Sequence, residues 1–171
     1  LGPCLFSFSF IGAGTLASNT GFPLYTGSAT AKLAGSAGVT KAGTGTFTLS
    51  GANTYSGDTD VQAGTLALTG AATNNNIPNS PVIRIAQDAF LDVTGLAGTA
   101  DLVLAGGQTL QGNGTLIGNL GIPGGATGAT VAAGDSAGHL SIDGLYDQAG
   151  TMDVEIGGTL RGTDYDWISV T

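Results

Sequence analysis

Gly134-Asp135-Ser136-Ala137-Gly138, followed at once by His139, is the one string in this chain whose residue types suggest covalent catalysis. G-x-S-x-G is the spacing of a nucleophile elbow, in which a sharp strand-to-helix turn exposes the serine hydroxyl and a histidine takes its proton. The surroundings argue against that use. An elbow needs a helix after the serine and a histidine returned from far downstream. Here Leu140-Ser141-Ile142-Asp143-Gly144 reads as a strand, and the single histidine is adjacent. Ser136 is therefore expected in a turn, and no residue is assigned a catalytic role.

Other chemistry is equally sparse. Asp58 with Asp60, and Asp164 with Asp166, are tight carboxylate alternations. Calcium would require about 6 to 8 oxygen ligands, so these acids are read as solvated surface carboxylates. One Cys and one His cannot build an ordinary zinc site. Gly43-Thr44-Gly45 and Gly112-Asn113-Gly114 lack the third glycine and helix of a dinucleotide site. No metal or cofactor is expected. A formal charge of −8, from 12 acidic and 4 basic residues, disfavours nucleic acid and anionic membranes as partners. No run of about 18 apolar residues offers a membrane-spanning helix, so no direct membrane insertion is expected. Polysaccharide binding or degradation is kept as a third reading of the chain, though it would want carboxylate pairs and exposed aromatics gathered in one groove, and one Trp and 4 Tyr are spread along the chain.

The elements around these residues are short strands. In Gly45-Thr46-Phe47-Thr48-Leu49 the alternation sends Phe47 and Leu49 to one face and the threonines to the other. Gly64-Thr65-Leu66-Ala67-Leu68 repeats the pattern, with Leu66 placed 19 positions after Phe47. A period of about 20 residues is the mark of a solenoid. Degraded copies recur at Gly14-Thr15-Leu16, at Gly114 to Ile117 and at Gly150 to Ile156, with Val82 to Ile85, Phe90 to Val93, Leu102 to Leu104, Leu140 to Ile142 and Trp167 to Val170 between or after them. No helical stripe competes with them. Glycine at 31 of 171 residues is far above the usual ~7%, but without a G-X-Y period. These glycines are read as turn residues. A charged fraction of 9% against 42% hydrophobic predicts a folded chain. The fold expected is all-β, a solenoid of roughly eight coils with Phe47, Leu49, Val61, Leu66, Leu68, Ile83, Ile85, Leu91, Val93, Leu102, Leu104, Leu116, Leu140, Ile142, Val154, Ile156, Ile168 and Val170 inside.

The phrase KAGTGTFTLSGANTYSGDTDVQAGTLALTG at residues 41–70 resembles the autotransporter-associated β-strand repeat, also called the passenger-associated transport repeat. Ala133 to Tyr146 is similar to a P-G-N-S-P-G-T-L-T-I-x-G-x-Y phrase of the same surface proteins, departing from it at Ala133, Asp135, Ala137 and His139. Asp147 to Val170 resembles the ending that follows that phrase. The resemblance implies a right-handed parallel β-helix, a non-enzymatic structural passenger segment, and an extracellular or outer-surface location in a bacterium. One domain over 1–171 is expected: N-terminal coils or a cap over 1–40, the best repeat at 41–70, and degenerate repeats over 71–171. Its expected partners are neighbouring domains of the same polypeptide or further copies of itself.

Three segments stand apart. Ala72 to Pro81 is polar with two prolines and is expected to project as a loop. Cys4 has no intrachain partner, and Leu1-Gly2-Pro3-Cys4 is a poor lipoprotein box without an upstream apolar region. Leu5 to Ile11 alternates strictly, with Phe6, Phe8 and Phe10 on one face. It reads as the first strand or cap of the helix, or as a strand that adds to another copy and builds a filament.

Overall fold

The computed structural model describes residues 7–10, 14–70, 77–97, 102–134, 136–161 and 163–171. All named strands pair in parallel and form stacked faces of a β-solenoid. The longest sheet takes eight strands in chain order: Ser7–Phe10, Thr26–Ala29, Thr46–Leu49, Gly64–Gly70, Ala89–Leu96, Thr115–Ile117, His139–Asp143 and Trp167–Val170. A second sheet of seven runs from Phe22–Leu24 through Val39–Lys41, Thr59–Val61, Val82–Ile85, Thr109–Gly112 and Thr130–Ala133 to Thr151–Asp153. Short strands fill the third face, Thr15–Ala17 with Lys32–Ala34, and Leu102–Val103 with Leu120–Ile122 and Tyr146–Gln148. The chain passes the first sheet, the third face and the second sheet in turn, and each circuit is one coil.

Phe47 pairs in register with Leu66, Leu66 with Leu91, Leu91 with Leu116 and Leu116 with Ile142, so one inward row runs through five coils. Each of these side chains is essentially excluded from solvent. The coils are not uniform. The step from Phe47 to Leu66 is shorter than that from Ile142 to Val170, so the chain closes slightly fewer turns than the roughly eight expected from a fixed period. In the last two coils the extra residues go into the corner between the second sheet and the first, which is residues 62–63 in the shortest coil and grows to 134–138 and then 154–166.

Four expected core residues depart from the expectation. Val154, Ile156 and Val170 are exposed, Ile156 by 82%, and Ile168 is only partly buried. They lie on the last coil, where no further described strand covers them. The strand expected over Gly150 to Ile156 stops at Asp153, and Ile156 instead makes an antiparallel bridge to Tyr165.

Close approach between coils explains two glycines. A Cβ on Gly57 would lie 2.3 Å from the Gly38 nitrogen, and Gly64 combines φ of +65° with carbonyls of Gly43 and Gly45 at 2.5 Å. Neither position tolerates a side chain without moving backbone.

The Asn-Thr-Tyr segment of the best repeat is not merely a bend. Asn53 and Tyr55 both point inward, each only 1% exposed. Asn53 Oδ1 accepts a hydrogen bond from the Leu33 N–H in the preceding coil at 2.8 Å. Tyr55 shares a 2.7 Å hydrogen bond with Thr59 Oγ1, which donates to Ser80 Oγ at 2.9 Å, which donates in turn to the Val82 carbonyl at 3.1 Å. With each hydroxyl passing its proton along, Tyr55 is the donor at the head of the chain.

The run Ala72 to Pro81 is also more structured than expected where it is described. Residues 71–76 lie outside the described residues, but Ile77 and Ser80 are fully buried. Gln108 Nε2 donates to the carbonyls of Ile77 at 3.0 Å and Ser80 at 2.7 Å, while its Oε1 accepts from Ala105 N–H at 2.8 Å. One buried amide thus staples this corner to the next coil, a role no local pattern announces.

Burial drives the Tyr55 phenol pKa upward, with only a small opposing contribution from Thr59. The unfolded phenol ionises near pH 10, so the folded state holds a proton that the unfolded state releases. Stability contributed by Tyr55 is therefore intact below about pH 10 and declines as pH rises further. Tyr146, pushed up to about 12 by burial, adds in the same direction. In alkaline titration followed by circular dichroism, Tyr55→Phe should flatten this decline, at a cost of about 1 kcal/mol at neutral pH for the lost hydrogen bond. An unchanged alkaline slope would contradict the assignment.

Candidate functional site

Ser136 is exposed in the turn between the strands Thr130–Ala133 and His139–Asp143, while Asp135 lies outside the described residues. His139 is engaged elsewhere. Its Nε2 lies 2.8 Å from Ser169 Oγ, and Ser169 donates to Ser141 Oγ at 3.2 Å. Since the Ser169 proton is used toward Ser141, Nε2 is the donor to Ser169 and not a base waiting for its proton. Burial, and then the positive charge of Arg161, lower the His139 pKa, so the ring is neutral at pH 7.

The His139 ring also stacks on Trp167, with centroids 3.5 Å apart and planes within 3°. The Arg161 guanidinium carbon sits 4.3 Å from the Trp167 centroid. Two groups at such distances from one ring occupy its opposite faces, which leaves Trp167 clamped. The serine, histidine and tryptophan make a structural brace across the last two coils. Ester hydrolysis is expected at background level for the intact chain, for Ser136→Ala and for Ser169→Ala alike. Turnover of a small ester abolished by either substitution would show a catalytic serine.

The carboxylate pairs separate in use. Asp60 accepts from Gln62 Nε2 at 2.8 Å near the surface. Asp166, expected to be solvated, is buried, and its two oxygens accept from Gly138 N–H at 2.8 Å and Glu155 N–H at 2.9 Å. Asp164 accepts from the N–H groups of Thr159 and Leu160, both at 3.0 Å. These acids hold backbone corners. No group of three or more metal-ligating side chains occurs among the described residues.

The expected assembly residues divide. Ser7–Phe10 is a strand at the edge of the longest sheet, with Ser7 opposite Thr26 and Phe10 opposite Ala29. That places the backbone of Phe8 and Phe10 in the solenoid. Phe6 lies outside the described residues, as does Cys4.

A polar feature missed by linear reading is Lys41. It is 0% exposed, and its Nζ donates to the carbonyls of Ala42 at 3.0 Å, Gly43 at 2.7 Å and Ala63 at 2.9 Å. Three ammonium hydrogens meet three carbonyls contributed by two successive coils. Desolvation lowers its pKa, and no carboxylate pairs with it among the described residues. The alternation Val39-Thr40-Lys41 does signal an inward position, but the residue type masks it.

The outward face of the longest sheet carries a shaped surface. Registered pairing aligns Phe90, Thr115, Ser141 and Ser169 in one row. Two residues earlier along the same ladder, His139 lies opposite Trp167. Strands in such a stack lie about 4.8 Å apart. A cleft of about 380 Å³ opens across these rows, lined by residues that include Gln87, Asp88, Phe90, Asn113, Thr115 and His139.

Stacked parallel coils, an aliphatic interior and Asn, Gln and Lys staples between coils define a β-solenoid. Residues 39–68 match the family described as the passenger-associated-transport-repeat, and this stretch of the chain is such a repeat. A relative named Adhesin BmaC autotransporter, from Brucella suis biovar 1 (strain 1330), is 37% identical over 128 residues. The match takes in 75% of this chain and 4% of that protein, so the chain corresponds to a small fraction of the relative's length. No solved structure matches the chain.

Proposed function

We propose that the chain is a length of rigid extracellular stalk on a bacterial surface, a non-enzymatic passenger segment that holds other modules away from the cell and assists export by folding coil upon coil. The observation that carries this reading is the unbroken parallel ladder from Ser7–Phe10 to Trp167–Val170, wrapped around one aliphatic core. Stability in such a stack comes from nearest-neighbour contacts, so each finished coil templates the next. The relative's name, adhesin autotransporter, supports an outer-surface location. Interchangeable coils give the test. Deleting residues 47–65 joins Thr46 to Leu66 in the same register, and should leave a folded particle shortened by about 4.8 Å in solution scattering. Collapse of the fold, or an unchanged length, would contradict a spacer of equivalent coils.

End-to-end assembly is a second reading, favoured by the apolar side chains of the last coil: Leu145 is 72% exposed and Leu160 63%. In it, the N-terminal segment that carries Phe6, Phe8 and Phe10 meets the far end of another copy, a heterologous contact that propagates as a fibre. Fibres of the intact chain should disappear on deletion of residues 1–11. Fibres that persist without the segment exclude it, and an intact chain that stays monomeric at high concentration supports the plain stalk.

A further inference from the structure

We infer that the cleft on the outward face of the longest sheet, centred on Phe90, binds a neutral oligosaccharide. This goes beyond the stalk reading and does not depend on it, because a spacer needs no shaped surface. Four features of the cleft select the ligand. Its volume of about 380 Å³ falls in the range of small-ligand sites. Its floor holds one exposed aromatic ring, Phe90, at 37% exposure on an otherwise hydroxyl-bearing row. The apolar face of a pyranose packs on such a ring while its hydroxyls remain free for polar partners. The rim supplies those partners: the Gln87 amide and the Asp88 carboxylate are both exposed, and neither side chain is hydrogen-bonded to another of the described residues. Thr115 adds a hydroxyl beside Phe90.

The other ligand classes fit poorly. Among the described residues no Lys or Arg lines the cleft and one carboxylate does, and the chain carries a net charge of −8, which disfavours phosphate and sulfate groups. A lone carboxylate cannot hold a divalent cation. The cleft lies on a sheet face, not an edge, so it offers no ladder of backbone groups to an extended peptide.

The cleft is also held in shape before any ligand arrives. Asn113 Oδ1 accepts from the His139 N–H at 3.2 Å, and Asp166 accepts from the Gly138 N–H. A Cβ on Gly138 would fall 2.0 Å from Asn113 Oδ1 and 2.9 Å from the Gly134 Cα, so a side chain there would displace the Asn113 amide from this wall. The His139–Trp167 stack fixes the side of the wall away from Phe90. Asp88, with φ of +61°, turns the corner that carries Gln87 and Asp88 to the opposite rim. Rigid walls lower the ordering cost of binding.

Successive coils also give the face the repeat of an extended glycan, one rung about 4.8 Å from the next. Sugars along the coil axis would meet Phe90, then Thr115, then Ser141.

The test is nuclear magnetic resonance titration of the intact chain with three neutral probes, cellotetraose, mannotetraose and chitotetraose, and with a sulfated heparin tetrasaccharide as the charged control. At least one neutral probe is expected to shift the backbone amides of residues 87–90, 113–115 and 138–141 in a saturable manner. Phe90→Ala and Asp88→Asn, both at exposed positions, should each weaken that binding by roughly fivefold to tenfold. Their melting temperatures should match the parent, which separates lost recognition from lost folding. No saturable shift with any neutral probe at millimolar concentration, shifts located elsewhere, or preference for the sulfated probe would overturn the inference. The stalk reading stands or falls separately on the coil-deletion measurement.

Discussion

Leu66→Asp is expected to abolish the cooperative folding of the coils that contain Phe47, Leu66 and Leu91. Leu66 is fully buried and sits between these two side chains in register. An aspartate there faces the side chains of Phe47 and Leu91 and must either stay ionised in an apolar setting or take up a proton. Either route adds to the lost leucine contacts, and the expected cost is about 4 kcal/mol or more. In a small domain that approaches the whole stability. A solenoid confines the damage, since each coil is supported only by its neighbours. Hydrogen exchange should therefore show protection lost first around Thr46–Leu49, Gly64–Gly70 and Ala89–Leu96, with the later coils retained longer. Replacement of the outward neighbour Thr65 by Asp should cost less than about 1 kcal/mol. Equal effects at the two positions would place Leu66 outside the core.

The second large effect belongs to Lys41. Its three carbonyl acceptors come from the turn of its own coil and from Ala63 in the next, so the side chain ties two coils together. Lys41→Ala removes the donors, leaves a cavity and strands buried carbonyls, at an expected cost of about 2–4 kcal/mol. Lys41→Met keeps most of the volume and should recover part of this loss. A charged amine buried without a counter-ion also makes stability depend on pH. Desolvation places the folded pKa below 10.5, so between the two values the unfolded state binds more protons and stability rises with pH. That rise should vanish in Lys41→Met. Chemical denaturation of the three proteins from pH 8 to 11 checks both statements, and a methionine variant as stable as the parent throughout would show that the ammonium is dispensable.

Much of the fold could be read from residues because the repeat is written twice in nearly the same letters. Thr46-Phe47-Thr48-Leu49 and Thr65-Leu66-Ala67-Leu68 align residue by residue in one sheet. Period-two alternation locates inward positions as far as Ile142. It fails on the last coil, where Val154 and Ile156 alternate correctly but have no covering coil, since burial depends on a neighbour that local pattern does not encode. The polar interior was hidden for the opposite reason. Asn53, Tyr55, Lys41 and Gln108 have the types of surface or turn residues, and only the stacking of coils brings their acceptors and donors within reach. The cleft was hidden by distance along the chain. Gln87, Phe90, Thr115 and His139 look well spread until coil stacking brings them to one cleft.

Engineered cysteines at Thr46 and Thr65 test the central claim, a stack of parallel coils in this register. The two residues lie directly opposite each other in adjacent parallel strands and occupy the outward face. Neighbouring strands separated by about 4.8 Å are within the Cα range that a disulfide can bridge. With Cys4 replaced by Ser, mild oxidation of Thr46→Cys/Thr65→Cys is expected to give a rapid, nearly complete intramolecular cross-link. Thr46→Cys/Leu68→Cys, displaced along the strand and turned to the other face, should cross-link slowly or not at all. Preferential cross-linking of the second pair, or none in either, would contradict the solenoid register on which the whole account rests.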